Sequence, residues 1–321
     1  MTILFLGVFV KYHPINGACP NHEYMAMSLE SLGHTVKRLN ESDCSPDDVI
    51  RAAKECDLMI VEEGRLCGDH INEDGNKIIG LFQKVLNNVS CPVVSWITNL
   101  FYIGPRQVEI QTNPIFRAKV VFSTDGGHQK EFEAQGVNHI LLRQGIHELE
   151  AYLGKADYPT KADVGFIGAI YDNIWPYRKK LVGFLKETYQ DRFEHLGHTG
   201  DIRHDDLNRL LATLKVVVGD SVKSPYYWSN RAYEFLGRGA FMVWPVIEGF
   251  DQEYVPYKHY IPYQWGDWEG LKQIIDYYVD DKRKPFRDKM RVDAIEHSKK
   301  FHTYKHRVAK MLEILKEQKV I

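Results

Sequence analysis

The chain opens on a continuous apolar run, ILFLGVFV from Ile3 to Val10, and runs of this kind return at steady intervals. Between them the apolar positions shift to helical spacing. In HEYMAMSLESLGHTV, Tyr24, Met27, Leu29 and Leu32 recur with polar residues between them, and Gly33 closes the segment. Val36 begins a second strand, and DLMIVEEG, VLNNVSCPVVSWITN, RAKVVFSTDGG and NHILLRQG continue the series, with NKIIGLFQKVL reading as a helix among them. Strands that are apolar throughout, separated by helices, predict a parallel sheet covered on both faces. The pattern assigns residues 1–150 to a first Rossmann-like, doubly wound α/β domain.

YLGKADYPTKA breaks the rhythm and reads as a connector, after which the pattern restarts. VGFIG, RFEHLG, VVVGD and GAFMVW read as strands. PYRKKLVGFLKETY, DDLNRLLATLK, SNRAYEFLG and WEGLKQIIDYYVDD read as helices, with Pro176 suited to a first turn. A second doubly wound domain over residues 160–300 follows. Parallel sheets bind ligands beyond the carboxyl ends of their strands, so two such domains facing one another predict a cleft between them.

Composition narrows the class. At 44% hydrophobic over 321 residues, the chain builds folded cores without any run of membrane-spanning length. The start, MTILFLGVFVKYHP, lacks the basic region and small-residue cleavage site of a signal peptide, and a cytoplasmic protein without a membrane span is expected. Cys19, Cys44, Cys56, Cys67 and Cys91 are odd in number and form no CxxC pair, which disfavours a disulfide framework or a zinc knuckle. The net charge of -2 gives no overall steering toward nucleic acid. One local run, Lys282 to Lys310, is strongly basic: either a solvated helical face or a surface for a polyanion.

The candidate chemistry concentrates in YWSNRAYEFLGRGAFMVWPVIEGFDQEY. Arg231 and Glu234 are three apart on a helix starting near Ser229 or Asn230, so their side chains can share a face. An arginine at a helix amino end can hold a diphosphate bidentately, and a carboxylate one turn on can accept ribose hydroxyls. The plain alternative is an internal ion pair. The turn after the next strand presents Glu248, Asp251 and Glu253 around Gly249, a layout suited to sugar hydroxyls. A second anion candidate lies where Gly168 follows a strand and the next helix carries Arg178, Lys179 and Lys180 near its amino end, where the dipole disfavours cations.

In the first domain, the loop after the first strand holds His13, Gly17 and His22. His22, at a helix amino end that keeps imidazole neutral, is a candidate general base. Asp125 in STDGG is another, and Glu62 and Glu63 at the end of DLMIVEEG are weaker ones. Neither GxGxxG nor GxxxxGK[ST] occurs, which disfavours oxidoreductase and NTPase readings; GxSxG and HExxH are absent too.

With those pieces in order, VGFIGAIYDNIWPYRKKLV, SNRAYEFLGRGAFMVWPVIEGF, WEGLKQIIDYYVDD and HSKKFHTYKHRVAKML, the second half resembles the CgeB/YkvP-like, spore-coat type glycosyltransferases of the GT-B fold. The resemblance implies a nucleotide-sugar donor, UDP-linked by preference, held as co-substrate on the second domain, with no other cofactor and no metal. It implies that Arg231, beside Asn230, holds the diphosphate and supports the leaving group, that Glu234 takes the ribose, that Gly168 and Arg178 line the phosphate side, and that Glu248, Gly249, Phe250 and Asp251 approach the sugar. His302, Thr303, Tyr304 and Arg307 then belong to a closing segment, residues 301–321, that packs back on the first domain. That first domain would hold the acceptor, a carbohydrate, a protein or modified DNA, with His22 or Asp125 as base. A transferase acting on hydroxylated DNA bases and a non-catalytic carbohydrate-binding protein are the competing readings.

Overall fold

The computed structural model describes residues 1–9, 21–62, 70–71, 77–78, 81–98, 100, 107–170, 176–197 and 202–321. His13, Gly17, Cys19, Glu63 and Cys67 fall outside the described residues. The chain divides into two compact units. The described residues up to Gln144, together with Tyr304–Ile321, form the first, and Gly145–Thr303 form the second.

In the first unit β1 (Thr2–Gly7), β2 (Thr35–Asn40) and β3 (Leu58–Glu62) alternate with α1 (Asn21–Ser31) and α2 (Pro46–Ala53). A short antiparallel pair, β4 (His70–Ile71) and β5 (Lys77–Ile78), comes next. Then follow α3 (Leu81–Asn88), β6 (Val93–Ile97), α4 (Glu109–Thr112), β7 (Val120–Ser123), α5 (Gln129–Ala134) and β8 (His139–Leu141). The six longer strands form a sheet in the order β2-β1-β3-β6-β7-β8, parallel throughout. Its strands are apolar throughout because both faces are covered: Leu4, Leu6, Met59 and Val61 enter one core with Val49 and Phe82, while Ile3, Phe5, Leu58 and Ile60 enter another with Met25 and Leu29. The helix expected over NKIIGLFQKVL starts only at Leu81, because Lys77 and Ile78 are paired with Ile71 and His70.

The second unit contains β9 (Val164–Ile167), α6 (Pro176–Tyr189), β10 (Phe193–Leu196), α7 (His204–Thr213), β11 (Val216–Val218) and α8 (Arg231–Gly237). It continues with β12 (Met242–Pro245), α9 (Phe250–Glu253), β13 (Ile261–Tyr263), α10 (Trp268–Val279) and α11 (Lys284–Phe301). Its five strands run in the order β10-β9-β11-β12-β13, again all parallel. From β9 the chain passes to β10 on one side, then crosses back to β11 on the other. The crevice at the carboxyl ends of β9 and β11 is therefore the unit's topological switch point, where open α/β sheets bind ligands. The final helix, α12 (Tyr304–Glu317), returns to the first unit, where Tyr304, Val308 and Met311 join the core beneath α1 and the Tyr304 hydroxyl donates to Asn21 Oδ1 at 2.5 Å. No helix among the described residues is long and apolar enough to cross a membrane.

Candidate functional site

The switch point of the second unit is built around a carboxylate. Asp220 lies two residues past the end of β11 and is 1% exposed. Arg178 on α6 donates through Nε to Asp220 Oδ2 at 2.9 Å and Oδ1 at 3.2 Å, and through Nη1 to the Ala169 carbonyl at 2.7 Å. Arg231, the first residue of α8, donates through Nη2 to the same Oδ1 at 2.7 Å, through Nη1 to the Ile167 carbonyl at 3.1 Å, and through Nε to Ser229 Oγ at 3.2 Å. Both guanidinium carbons approach the Phe166 ring, 6.0 Å and 5.5 Å from its centroid. Two cations and one anion leave a net positive charge at a sheet edge. Burial lowers the pKa of Arg178, the neighbouring Arg231 lowers it further, and Asp220 opposes both.

Gly168 permits this approach. A Cβ there would lie 2.5 Å from Arg231 Nη1, and its φ of +154° is one that side-chain-bearing residues rarely take. The cation-rich start of α6 thus resolves residue by residue: Arg178 turns inward to Asp220, whereas Lys179 and Lys180 stay exposed.

Beside Arg178 and Asp220 opens a cavity of about 480 Å³ walled by Tyr177, Ser221, Lys223 and Trp265. Tyr177 meets Trp265 edge to face at 4.7 Å and stacks on Trp268 at 5.4 Å, and Trp265 is fixed by its Nε1 donating to the Val246 carbonyl at 2.7 Å. Lys223 and Trp265 also border a second cavity of about 320 Å³ that includes Glu248. One continuous edge therefore carries cationic groups, flat aromatic walls and an exposed carboxylate. Such an edge can take an anion, a planar ring and a polyhydroxyl group side by side.

Several expected residues stand differently. Arg231 and Glu234 do not pair: Glu234, 7% exposed, accepts from Arg238 Nε at 3.1 Å. Arg238 in turn donates to Glu150 Oε2 at 2.6 Å and Asn208 Oδ1 at 2.5 Å. Burial works against this guanidinium's charge, but Glu234 and Glu150 raise its pKa. Glu234, expected at the ribose, is held by a bond inside the unit. Phe250, expected near the sugar, is a core residue, its ring 4.9 Å from Tyr260 and 5.2 Å from Trp228, and its amide donates to the Ile247 carbonyl. Glu253 points toward Tyr233 and His302. Asn230 precedes α8 in helical conformation and gives it no side-chain cap. Gly249, at φ +86°, sits where a Cβ would meet the Tyr226 ring at 2.4 Å, and Asp251 beside it is exposed.

The first unit also has a switch point, between β1 and β3, and His22 lies there. Its Nδ1 accepts from the Val8 amide at 2.7 Å, its Nε2 is paired with Glu62, and Glu62 accepts from Thr98 Oγ1 at 2.7 Å. Burial pushes the His22 pKa down to about 4, so the ring is neutral at pH 7. With both nitrogens engaged, the imidazole has no lone pair left for a substrate proton. The geometry thus ties Glu62, the weaker candidate, to His22. Asp125, two residues beyond β7, is 1% exposed.

The basic run is largely structural. Arg287 donates to the carbonyls of Tyr278 and Asp280, and Arg291 to those of Ala212 and Leu214; burial lowers the Arg291 pKa to about 10. Lys284 and Lys289 pair with Asp288 and Asp293 one turn on. Arg307 donates to the Gln144 carbonyl at 2.9 Å, Thr303 bridges to Ile146, and His302 faces Glu253.

Sequence missed Asp220. The signal was present: VVVGD ends a central strand with an acid, and two arginines near the same edge require a counter-charge.

Residues 166–313, which hold every part of the second unit's site, match the sequence model of a glycosyl transferase-like family. No curated protein matches the chain in sequence. Among solved structures, an alpha-glucosyltransferase in complex with UDP superposes with a TM-score of 0.68 at 11% identity, covering 98% of this chain and 100% of its own. Sucrose-phosphate synthase from Thermosynechococcus elongatus gives 0.66 at 12% identity, covering 99% of this chain and 98% of its own. The Anabaena protein Alr3699/HepE with UDP and glucose gives 0.62 at 14% identity, covering 98% and 100%. At these identities the likeness is one of fold: two parallel-sheet α/β units of the kind found in GT-B glycosyltransferases.

Proposed function

We propose that the protein is a glycosyltransferase that moves a sugar from a nucleoside diphosphate, UDP by preference, to an acceptor hydroxyl. One observation carries the reading: Arg178 and Arg231 share the buried Asp220 at the β9–β11 switch point, next to an aromatic-walled cavity. The diphosphate lies against Arg231, the base against Tyr177 and Trp265, and the sugar toward Glu248 and Asp251. The glycosyl transferase-like match over these residues supports it, as do the UDP complexes among proteins of the same fold.

In the reaction the acceptor oxygen attacks the anomeric carbon, the bond from that carbon to the β-phosphate oxygen breaks, and the diphosphate departs with its electron pair. Arg231 meets the charge that grows on the leaving group, where preorganised charge lowers the barrier most. Asp125 takes the hydroxyl proton; a carboxylate accepts several hydrogen bonds at once, whereas His22 has no lone pair to spare. Asp125→Asn is expected to lower turnover by about a hundredfold or more at unchanged donor affinity, the usual loss when a general base is removed. Guanidinium charge stands in for a cation at the diphosphate, so a metal-independent enzyme is proposed, and EDTA should leave turnover unchanged. The spore-coat subfamily and a cytoplasmic setting belong to the same proposal.

Thermal-shift screening against UDP, GDP, CMP and dTDP tests the class. Stabilisation by one diphosphate, lost in Arg231→Ala, supports it; a melting point that none of them moves would refute it.

A further inference from the structure

We propose that Asp220 is a positioning residue: it fixes the plane of the Arg231 guanidinium so that the site reads a second phosphate. The inference rests on the donor reading above and assigns a role within it to a residue that touches no substrate.

The bonding pattern argues for it. A guanidinium has five N–H groups. On Arg231, Nε is held by Ser229, Nη1 by the Ile167 carbonyl, and Nη2 by Asp220 Oδ1, with the Asp220 carbonyl at 3.4 Å. Phe166 covers one side, and Gly168 leaves no space for a Cβ on another. The aspartate supplies the only anionic partner in this set, and its Oδ1 also accepts from Arg178. One carboxylate oxygen thus locks two guanidiniums in register. Arg231 keeps a side-chain exposure of 15%, against 7% for Arg178. Arg178 borders the adjoining cavity, whereas Arg231 is the more exposed of the two and is the one assigned here to the incoming anion.

Asp220 therefore acts in two separable ways. Its charge cancels one arginine, and its location orients the other. Asp220→Asn removes the charge, takes the cluster from one net positive charge to two, and increases attraction for any anion. Asp220→Glu retains the charge but shifts the carboxylate by one methylene. Absolute affinity is consequently a poor readout, because charge gain and lost orientation oppose each other. Discrimination between a diphosphate and a monophosphate isolates orientation in Asp220→Glu, where the charge is kept. In Asp220→Asn the added positive charge by itself favours the more highly charged diphosphate, so an aspartate that merely neutralised Arg178 would give a higher ratio there and an unchanged ratio in the glutamate variant.

The experiment titrates the full-length protein and both variants with UDP and UMP, and with pyrophosphate and orthophosphate. A preference for the second phosphate that falls about tenfold in Asp220→Glu, the worth of one well-aligned charged hydrogen bond, and that does not rise in Asp220→Asn, is the expected result. Should Asp220→Asn fail to fold, Asp220→Glu decides alone. An unaltered preference in the glutamate variant overturns the proposal, since charge without placement would then suffice; a preference that rises in a folded asparagine variant overturns it as well, since charge alone would then account for the change. Wild-type protein that prefers neither diphosphate also overturns it. If wild type selects pyrophosphate, Asp220→Glu loses that selectivity, and UDP is not bound, then Asp220 positions Arg231 as proposed and the uridine donor reading is what fails.

Discussion

Burying two guanidiniums side by side is tolerable only with an anion between them, because desolvation and mutual repulsion both oppose their charge. Asp220 provides that anion, and the close packing around it makes single atoms matter. Gly168→Ala would put a methyl group 2.5 Å from Arg231 Nη1 and push the guanidinium out of plane. UDP affinity is expected to fall about tenfold while the protein still folds, as measured by calorimetric titration. A second buried cluster predicts the opposite phenotype. Arg238→Met leaves Glu234 and Glu150 without their shared cation, and breaking a buried pair from one side costs about 3–5 kcal/mol. Urea unfolding should show that loss. Legibility at this scale was uneven. Arg231 stands out by its place before a helix, and the i,i+3 spacing suggests Glu234 beside it; the fold shows Glu234 bonded to Arg238, four residues on. Phe250, which the resemblance alone places near the sugar, has a core side chain.

Elements carry the pH dependence. His139 on β8 is 2% exposed, lies 4.2 Å from the Phe132 ring, and is bonded to Ser123 and Gln129. Burial lowers its pKa to about 4. The folded form therefore resists a proton that the unfolded form accepts at its ordinary value near 6.5, so the unfolded state binds more protons between those limits. Stability should decline as pH falls from about 6.5 to about 4, by about 2–3 kcal/mol from this residue, and its contribution should level off below. Denaturation at pH 7.5 and 4.5 checks this, with His139→Gln expected to flatten part of the slope. The strands themselves were readable because residues such as Ile3 to Leu6 serve two cores in alternation, which removes the polar positions that a one-faced strand would show. The three-residue β13, IPY, is not legible in the sequence: its proline and its length both argue against a strand, and it survives as the edge of the sheet.

At the scale of the whole molecule, each unit places a buried polar cluster at its own switch point, His22 with Glu62 in the first and Asp220 with its two arginines in the second. The order of strands dictates this, since neighbouring connections diverge only there. Sequence could supply the strands and helices but not their order across the sheet, so it pointed to the right loops without showing which side chains converge. Chain length and the break at YLGKADYPTKA were enough to indicate two units. The return of Tyr304–Ile321 to the first unit was available only through the family resemblance, because α12 has the same amphipathic character as its neighbours. The most direct test of the account is calorimetric titration of UDP into wild type and Arg231→Ala at equal ionic strength. The account predicts saturable binding by wild type that weakens about tenfold or more in the variant; equal affinity in the two proteins would contradict it.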